Sequence, residues 1–452
     1  PGGGIAVSPR SFQDEAAIFQ TFYQPFPTPD GLANDWRGFL QALWIDALGN
    51  IREDTDADGA LVYERDHIVR FGSAEEGDEG CARLFGDDDG DGRADRDLPD
   101  AVVPLTAIRP LWEAGERLAM RNAAERTIMT FADRNGNGLV DEGEYLPFIP
   151  ENAALLRPFL GAHDETEADI IIRYIRGEAV AGYRSRTAED DPPATVWKLG
   201  DIVRSAPALA KEPRENYHII YGDEGYEAYA RRWKRRPLTV FSGANDGMLH
   251  AFAGGIYHPG DNPETTNTVE HGWYGPEPAS TMGFGDERWA YIPHNLLPHL
   301  KWLTRNNYTH VDYVDLKPKI TDARVFTDAS GNPLDADHPR GWGTILIGGM
   351  GMGGGAIEVA DDFGSGEELR VFRSAYFALD VTVPDHTRLL WEFTHPALGF
   401  TIAHPCIVRV EAEPGFTQPE GDRWYAVFGS GPTDYHGKST QHQDGGVAVG
   451  NH

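Results

Sequence analysis

The run VFSGANDGMLHAF, residues 240–252, sets two short apolar stretches on either side of Asn245-Asp246-Gly247. Glycine tolerates the positive φ that tight hairpin turns demand, so this triplet between apolar runs predicts a β-hairpin. The same texture fills the chain from Trp197 onward. Short apolar or alternating runs, among them RWAYIP, TILIGG, AYFALDV, LLWEFT, CIVRV and WYAVFGSG, are separated by turn residues. Many short strands without helical alternation point to an all-β sandwich, barrel or propeller, and the length favours a propeller. The expectation is a mainly β protein whose propeller blades occupy residues 197–452, with a helical insertion that carries metal loops.

Upstream the texture differs. Residues 1–34 read as an irregular leading segment with scattered Pro and Gly. Residues 35–51, DWRGFLQALWIDALGNI, carry Trp36, Phe39, Leu40 and Leu43 and are expected to supply a first strand to the same propeller. Residues 52–196 form the insertion, dominated by Asp and Gly up to residue 100. Ala124, Ile128 and Phe131 then fall at i, i+4 and i+7, which predicts a helix. TEADIIIRYIRG, residues 166–177, predicts a second helix with acids at its start, a basic last turn and Gly177 as its stop. The chain opens PGGG, without Met or a basic-then-apolar leader, and so reads as a processed or truncated product.

The 452 residues suffice for one large repeat-built domain or roughly two to three ordinary ones. They include 40 Lys plus Arg against 71 Asp plus Glu, a net charge of −31. This balance argues against general nucleic-acid binding and suits a protein that meets divalent cations. No apolar run reaches the roughly 18 residues of a membrane-spanning helix, so no span is expected. Cys81 and Cys406 either pair in an oxidising compartment or stay as two small buried residues.

The most specific chemistry lies in FADRNGNGLVDEGE, residues 131–144. From Asp133 it spells D-x-N-x-N-G-x-x-D-x-x-E, with oxygen side chains at loop positions 1, 3, 5, 9 and 12 and Gly138 at 6. Calcium takes about six to eight hard oxygen ligands. Asp133, Asn135, Asn137, the Leu139 carbonyl, Asp141 and a bidentate Glu144 are therefore expected to converge on one Ca2+. A helix before the loop, with Pro147 and Pro150 cutting short any helix after it, makes half of an EF-hand. The bland account is an acidic, solvated turn.

Two weaker relatives precede it. DDDGDGRAD offers Asp87, Asp89, Asp91, Arg93 at the carbonyl position and Asp95, but Leu98 holds position 12, with Asp97 as the candidate substitute. DTDADGALV offers Asp54, Asp56 and Asp58, with Val62 and Arg65 at positions 9 and 12, and here a plain Asp-Gly turn competes. Three such loops together predict a region that folds around metal.

Other stretches fail their chemical tests. GGMGMGGG, residues 348–355, contains G-x-G-x-x-G but is followed by an acidic, non-amphipathic segment, so a strand junction is expected there. GPTDYHGKST has five residues between Gly431 and Gly437 where a P-loop has four. Neither G-x-S-x-G nor H-E-x-x-H occurs, and the 16 His are scattered. RRWKRR, residues 231–236, could hold an anionic surface; the bland account is a helix whose basic end complements its dipole before Pro237 opens a strand.

Ordered motifs then carry a family likeness. WKLGDIVRSAPALA, YGDEGYEAYA and VFSGANDGMLHAF are followed by WAYIPHNLLPHLKWLT, YVDLKPKITDARVF, WGTILIGGMGMGGG, YFALDVT, LLWEFT and WYAVFGSG. WRGFLQALWIDALGNIREDTDADG and IIRYIRG fit upstream. Across most of residues 35–431 the chain resembles the C-terminal domain of the PilY/PilC-type type IV pilus tip adhesins and assembly factors. The resemblance implies a modified β-propeller at or near the pilus tip, extracellular or on the cell surface, with calcium controlling pilus extension and retraction. It implies minor pilins and a host or abiotic surface as partners, and no enzymatic activity. The adhesion domain of von Willebrand A type that family members usually carry upstream has no match here. The family's regulatory calcium loop lies later in the propeller; HQDGGVAVGNH ends before the expected last blades, so that site is transferred to no residue. The propeller is accordingly expected to be incomplete at its C-terminus.

Two other readings compete. GANDGMLHAF also resembles the blades of quinoprotein-like propeller dehydrogenases, which commonly place adjacent cysteines near a calcium-bound quinone; Cys81 and Cys406 are far apart. The other is a secreted, calcium-stabilised scaffold.

Overall fold

Strands Leu238–Gly243 and Leu249–Pro259 pair antiparallel, and the turn between them closes as its residues require. The Ala244 N–H donates to the Met248 carbonyl at 2.9 Å, the Gly247 N–H donates to the Ala244 carbonyl at 3.3 Å, and Gly247 sits at φ 95°. This is a three-residue hairpin loop with its glycine in the left-handed region. The expected hairpin is present.

The structure is a computed structural model that describes residues 5–7, 17–27, 34–73, 80–188, 195–265, 269–275, 277, 282–328, 330–410 and 423–433. The expectation placed on the C-terminal run HQDGGVAVGNH lies outside the described residues. Among the described residues there are three larger sheets and three two-stranded ribbons. In the first sheet β1 (Ile5–Val7), β2 (Ala17–Pro27), β3 (Asn34–Ile45), β4 (Ile51–Arg52), β5 (Ile68–Ser73), β6 (Gly80–Phe85) and β7 (Ala101–Pro104) lie side by side in chain order. β8 (Trp112–Glu113) adds to β3 and runs straight into helix α1 (Ala114–Met120).

The second sheet uses β9 (Ile128–Phe131) and β10 (Tyr145–Pro147), then β13 (Ala208–Ala210), β14 (Leu238–Gly243), β15 (Leu249–Pro259), β16 (Gly272–Gly275) and β17 (Glu287–Ile292); β11 (Thr187–Ala188) and β12 (Thr195–Val196) form a ribbon between. Its spatial order is β10-β9-β17-β15-β14-β13, and the β9–β17 pair is parallel. The third sheet is β18 (Lys319–Arg324), β19 (Trp342–Gly349), β22 (Tyr376–Asp380) and β23 (Arg388–Phe393). Ribbons β20 (Ile357–Asp362)–β21 (Glu367–Phe372) and β24 (Cys406–Val410)–β25 (Arg423–Val427) complete the strands. The remaining helices are α2 (Ala153–Leu156), α3 (Glu165–Arg176), α4 (Tyr217–Ile220), α5 (Glu224–Arg232) and α6 (Leu300–Leu303). The protein is mainly β, and among the described residues no sheet closes on itself.

Alternate residues of a strand face opposite sides of its sheet. In β3, Leu40, Ala42 and Trp44 enter a core with Leu238, Val240 and Phe252 of the second sheet, while Leu43 packs with Ile18, Val69, Ala82 and Leu84. The largest core gathers Ile171, Ile172 and Ile175 of α3 with Phe131, Trp289, Leu346 and Phe377 from the second and third sheets.

Three expectations need correction. Residues 1–34 are not irregular throughout: β2 pairs with β3 from Ala17↔Trp44 to Pro27↔Asn34. Pro25 and Pro27 disguise that strand, yet they lie beyond residues 18–20, which β1 pairs, so their missing N–H breaks no ladder. Residues 35–51 lie mostly in β3 and β4 of the first sheet; β3 touches the chain after Trp197 through the Gly38 N–H, which donates to the Leu199 carbonyl at 3.1 Å, through an Arg37–Gly200 bridge, and through side chains packed on the second sheet.

The predicted helix over 124–131 is also absent. Ala124 sits in a single tight turn capped by Asn122, and Ile128–Phe131 is strand β9. Thr127, Ile128 and Thr130 are β-branched and favour a pleated, half-buried surface, so the helical spacing was coincidental. Residues 52–196 are therefore not a separate helical insertion, since their strands, apart from the β11–β12 ribbon, belong to the first two sheets.

Other expectations hold. α3 starts at Asp164, whose side chain accepts from the Glu167 N–H at 2.9 Å, and stops at Gly177, φ 111°. α5 begins at Asp223 and carries Arg231 and Arg232 in its last turn; Arg231 pairs with Glu227 and Arg232 with Asp337. GGMGMGGG joins β19 to β20, and a side chain at Gly353 would meet the Tyr313 carbonyl at 2.3 Å. The cysteines follow neither alternative in full: both are free, but only Cys81 is buried and Cys406 is exposed. No helix of the described residues is long and apolar enough to cross a membrane.

Candidate metal loops

The three Asp-rich loops are copies of one backbone conformation. At position 1, Asp54, Asp87 and Asp133 each accept from the N–H of the position-6 glycine, at 3.0 Å from Gly59, 3.1 Å from Gly92 and 2.9 Å from Gly138. At position 5, Asp58, Asp91 and Asn137 each accept from the N–H two residues on, at 2.8, 2.9 and 2.7 Å. The position-6 glycines have φ of 75°, 85° and 72°, and position 4 is left-handed too, at Ala57 (58°), Gly90 (69°) and Gly136 (72°). Side-chain oxygens thus organise the backbone before any ion is considered.

The loops differ in how they close. In the loop 133–144, Glu144 accepts from the Arg134 N–H at 2.8 Å and from the Asp141 N–H at 3.2 Å, positions 2 and 9. In the first loop Asp66 does the same work from position 13, accepting from Thr55 at 3.0 Å and Val62 at 2.7 Å. Arg65, at position 12, puts its guanidinium 2.9 Å from Asp56 and 3.8 Å from Asp58. In the second loop Asp95 accepts from the Asp88 N–H at 2.6 Å, while Leu98 is exposed.

Carboxylate oxygens of Asp54, Asp56 and Asp58 lie within 4.8 Å of one another, as do those of Asp87, Asp89 and Asp95. Asp91 and Asp97 are not in the second group, and Asp133, Asp141 and Glu144 do not gather to that distance. There the amides of Asn135 and Asn137 donate to Asp141 at 2.8 and 2.7 Å and hold its carboxyl below the usual range. Burial pushes Asp54 up to about 7, with Asp58 and Asp56 adding repulsion, and burial pushes Asp66 up to about 8. A nearby cation would relieve both.

The fit to a cation is tightest in the second loop. Asp87 is 2% exposed, and its Oδ1 is buried with no hydrogen-bond partner. Its Oδ2 accepts from Arg52, which also donates to Asp46 at 2.8 Å and to the carbonyls of Tyr63 and Asp66, so one buried arginine ties the first two loops together. The loop 133–144 caps the β9–β10 hairpin, not a helix, and thus departs from the half EF-hand expected. Arg370 of β21 donates to the Asp133 and Arg134 carbonyls and braces it from outside. Sequence patterns miss Arg52 and Arg370, which no local spacing marks. Asp66 was in reach: it is an acid one residue past position 12, which Arg65 holds.

The fold and these loops define a multi-sheet β protein with repeated Asp-x-Asp/Asn-x-Asp/Asn-Gly loops. No family model matches the chain. It is similar to type IV pilus biogenesis factors of the PilY1 type: 28% identical over 271 residues to a PilY1 homolog of Xylella fastidiosa, covering 58% of this chain and 16% of that protein. With PilY1 of Pseudomonas aeruginosa it shares 26% identity over 337 residues, 71% of this chain and 22% of that protein. The crystal structure of the Pseudomonas aeruginosa PilY1 C-terminal domain aligns at 23% identity with a TM-score of 0.29, covering 52% of this chain and 33% of that one. The chain spans about a fifth of the length of these curated relatives.

Proposed function

We propose that this chain is part of a non-enzymatic, calcium-binding type IV pilus protein, exposed at or near the pilus tip. In this reading it holds minor pilins, supports assembly and the extension–retraction cycle, and presents a surface for adhesion to host or abiotic material. Its sheets are the blades of a modified β-propeller. The observation that carries the reading is similarity over more than half of the chain to proteins named as type IV pilus biogenesis factors.

Asp87, Asp89 and Asp95 would hold one Ca2+ and use the orphaned Asp87 Oδ1; Asp133, Asn135, Asn137, Asp141, Glu144 and the Leu139 carbonyl would hold another. The ion supplies positive charge among oxygens that otherwise repel, and so fixes each loop on its strands. In the first loop Arg65 supplies that charge from the protein itself. Gold-labelled antibody against this region, imaged on pili of the native organism, tests the assignment. Label at fibre ends is expected; pili with bare ends, or label confined to cell bodies, would overturn it.

A further inference from the structure

A cavity of about 20 Å³ is lined by Asp35, Arg184, Arg186, Lys198, Asp201 and Asp246, among others. All six side chains belong to residues more than nine-tenths buried. The carboxylates are already engaged. Asp35 accepts from Arg37 at 3.0 Å; Asp201 accepts from Asn245 at 2.8 Å and meets His310 at 2.7 Å; Asp246 accepts from the Gly200 N–H at 2.9 Å and lies 3.0 Å from His250.

The cations have no such partners. Arg184 donates to the Leu303 carbonyl and the Tyr174 hydroxyl, Arg186 to the Tyr174 carbonyl, and Lys198 to the carbonyls of Ala119 and Val196. Among the described residues none of the three forms an ion pair. The Arg186 Nε–H is buried with no hydrogen-bond partner at all. Arg184 and Arg186 also lie over the rings of Tyr308 and Tyr174, at 4.3 and 3.9 Å, and Asp35 and Asp246 favour the charged Arg186 without bonding to it. Carbonyl dipoles and ring faces replace only part of the water that each cation lost. Burial, reinforced by repulsion from Arg126 and Arg186, pulls Lys198 down to about 8.

We propose that this cavity holds one small monovalent anion of chloride size, bound by Arg186 Nε together with Arg184 and Lys198. The volume suits a single small ion or one to two waters. The site is separate from the metal loops and stands whether or not they bind calcium. Acidic overall composition does not produce it, since the chain carries a net charge of −31.

The test melts the full chain in sodium chloride and in sodium gluconate at equal ionic strength. A saturable rise in Tm with chloride, absent with gluconate and lost in Lys198→Met, is expected. Equal curves in the two salts, or a chloride response that survives Lys198→Met, overturn the site. Should that variant fail to fold, wild-type crystals grown in sodium bromide decide alone. An anomalous peak between Arg186 and Lys198 supports the site, and its absence removes it.

Discussion

The guanidinium of Arg52 donates to the carboxylate of Asp87, and neither side chain has any exposed surface. Through that contact a strand of the first sheet reaches the first residue of the second metal loop, while the same arginine satisfies two carbonyls of the first loop. These two loops are thus built into the core of the first sheet and are not appended to its surface.

Arg52→Met is expected to cost about 3–5 kcal/mol, because it leaves Asp46 and Asp87 buried without their cation. Arg52→Lys should recover little, since an ammonium cannot spread over four acceptors as the planar guanidinium does. Urea denaturation reads both; an unchanged midpoint for Arg52→Met contradicts the coupling.

Glu144→Ala should remove the calcium-dependent part of stability at the β9–β10 hairpin. Only three of its candidate ligands are carboxylates and it has no paired partner, so its affinity is expected on the order of 10⁻⁴–10⁻³ M. At tenfold excess over Kd the stabilisation is about 1.4 kcal/mol. Melting temperature across calcium concentrations checks this. If wild type and variant respond equally, the metal sits in another loop.

Arg65→Glu should convert the first loop into a calcium site. The backbone conformation is already in place, and the substitution replaces an internal cation by the acid that position 12 lacks. Calorimetric titration should find one more calcium per chain than in wild type. Unchanged stoichiometry would mean that Asp66 already completes the loop's closure and leaves no vacant ligand position.

How much of this was legible in the sequence depended on whether the signal was local. Gly247 and Gly177 announce a hairpin and a helix end because each needs a backbone conformation that few other residues adopt. The loop conformation was legible for the same reason, since spacing alone places Asp133 against Gly138. The partner of β3 was not, because β2 is distant, carries two prolines and gains its meaning only on pairing. Ile128 and Phe131 fit a helix and a strand equally well, and the parallel contact with Ala290 and Tyr291 decides between them. Arg370 reaches Asp133 across more than half of the chain, and no window of sequence contains both.

Burial by itself would lower His250, but Asp246 and Glu287 on either side outweigh it and raise it to about 9. Arg126, which pairs with Glu287, completes the set of charges facing it. An unfolded histidine titrates near about 6.5, so this pairing stabilises the fold fully below that pH and is lost as pH rises through about 9. Stability should fall across that window in wild type, and His250→Gln should flatten the fall. A slope identical in both proteins, measured by urea denaturation at several pH values, rules the pairing out as its source.

The most direct measurement is a crystal structure of the full chain grown in calcium, with anomalous data to identify the ion. One Ca2+ is predicted among Asp87, Asp89 and Asp95, coordinated by Asp87 Oδ1, and a second between Asp133 and Glu144, with Arg65 still lying on Asp56 in the first loop. Metal in neither loop, with Asp87 Oδ1 left unpartnered, would contradict the account.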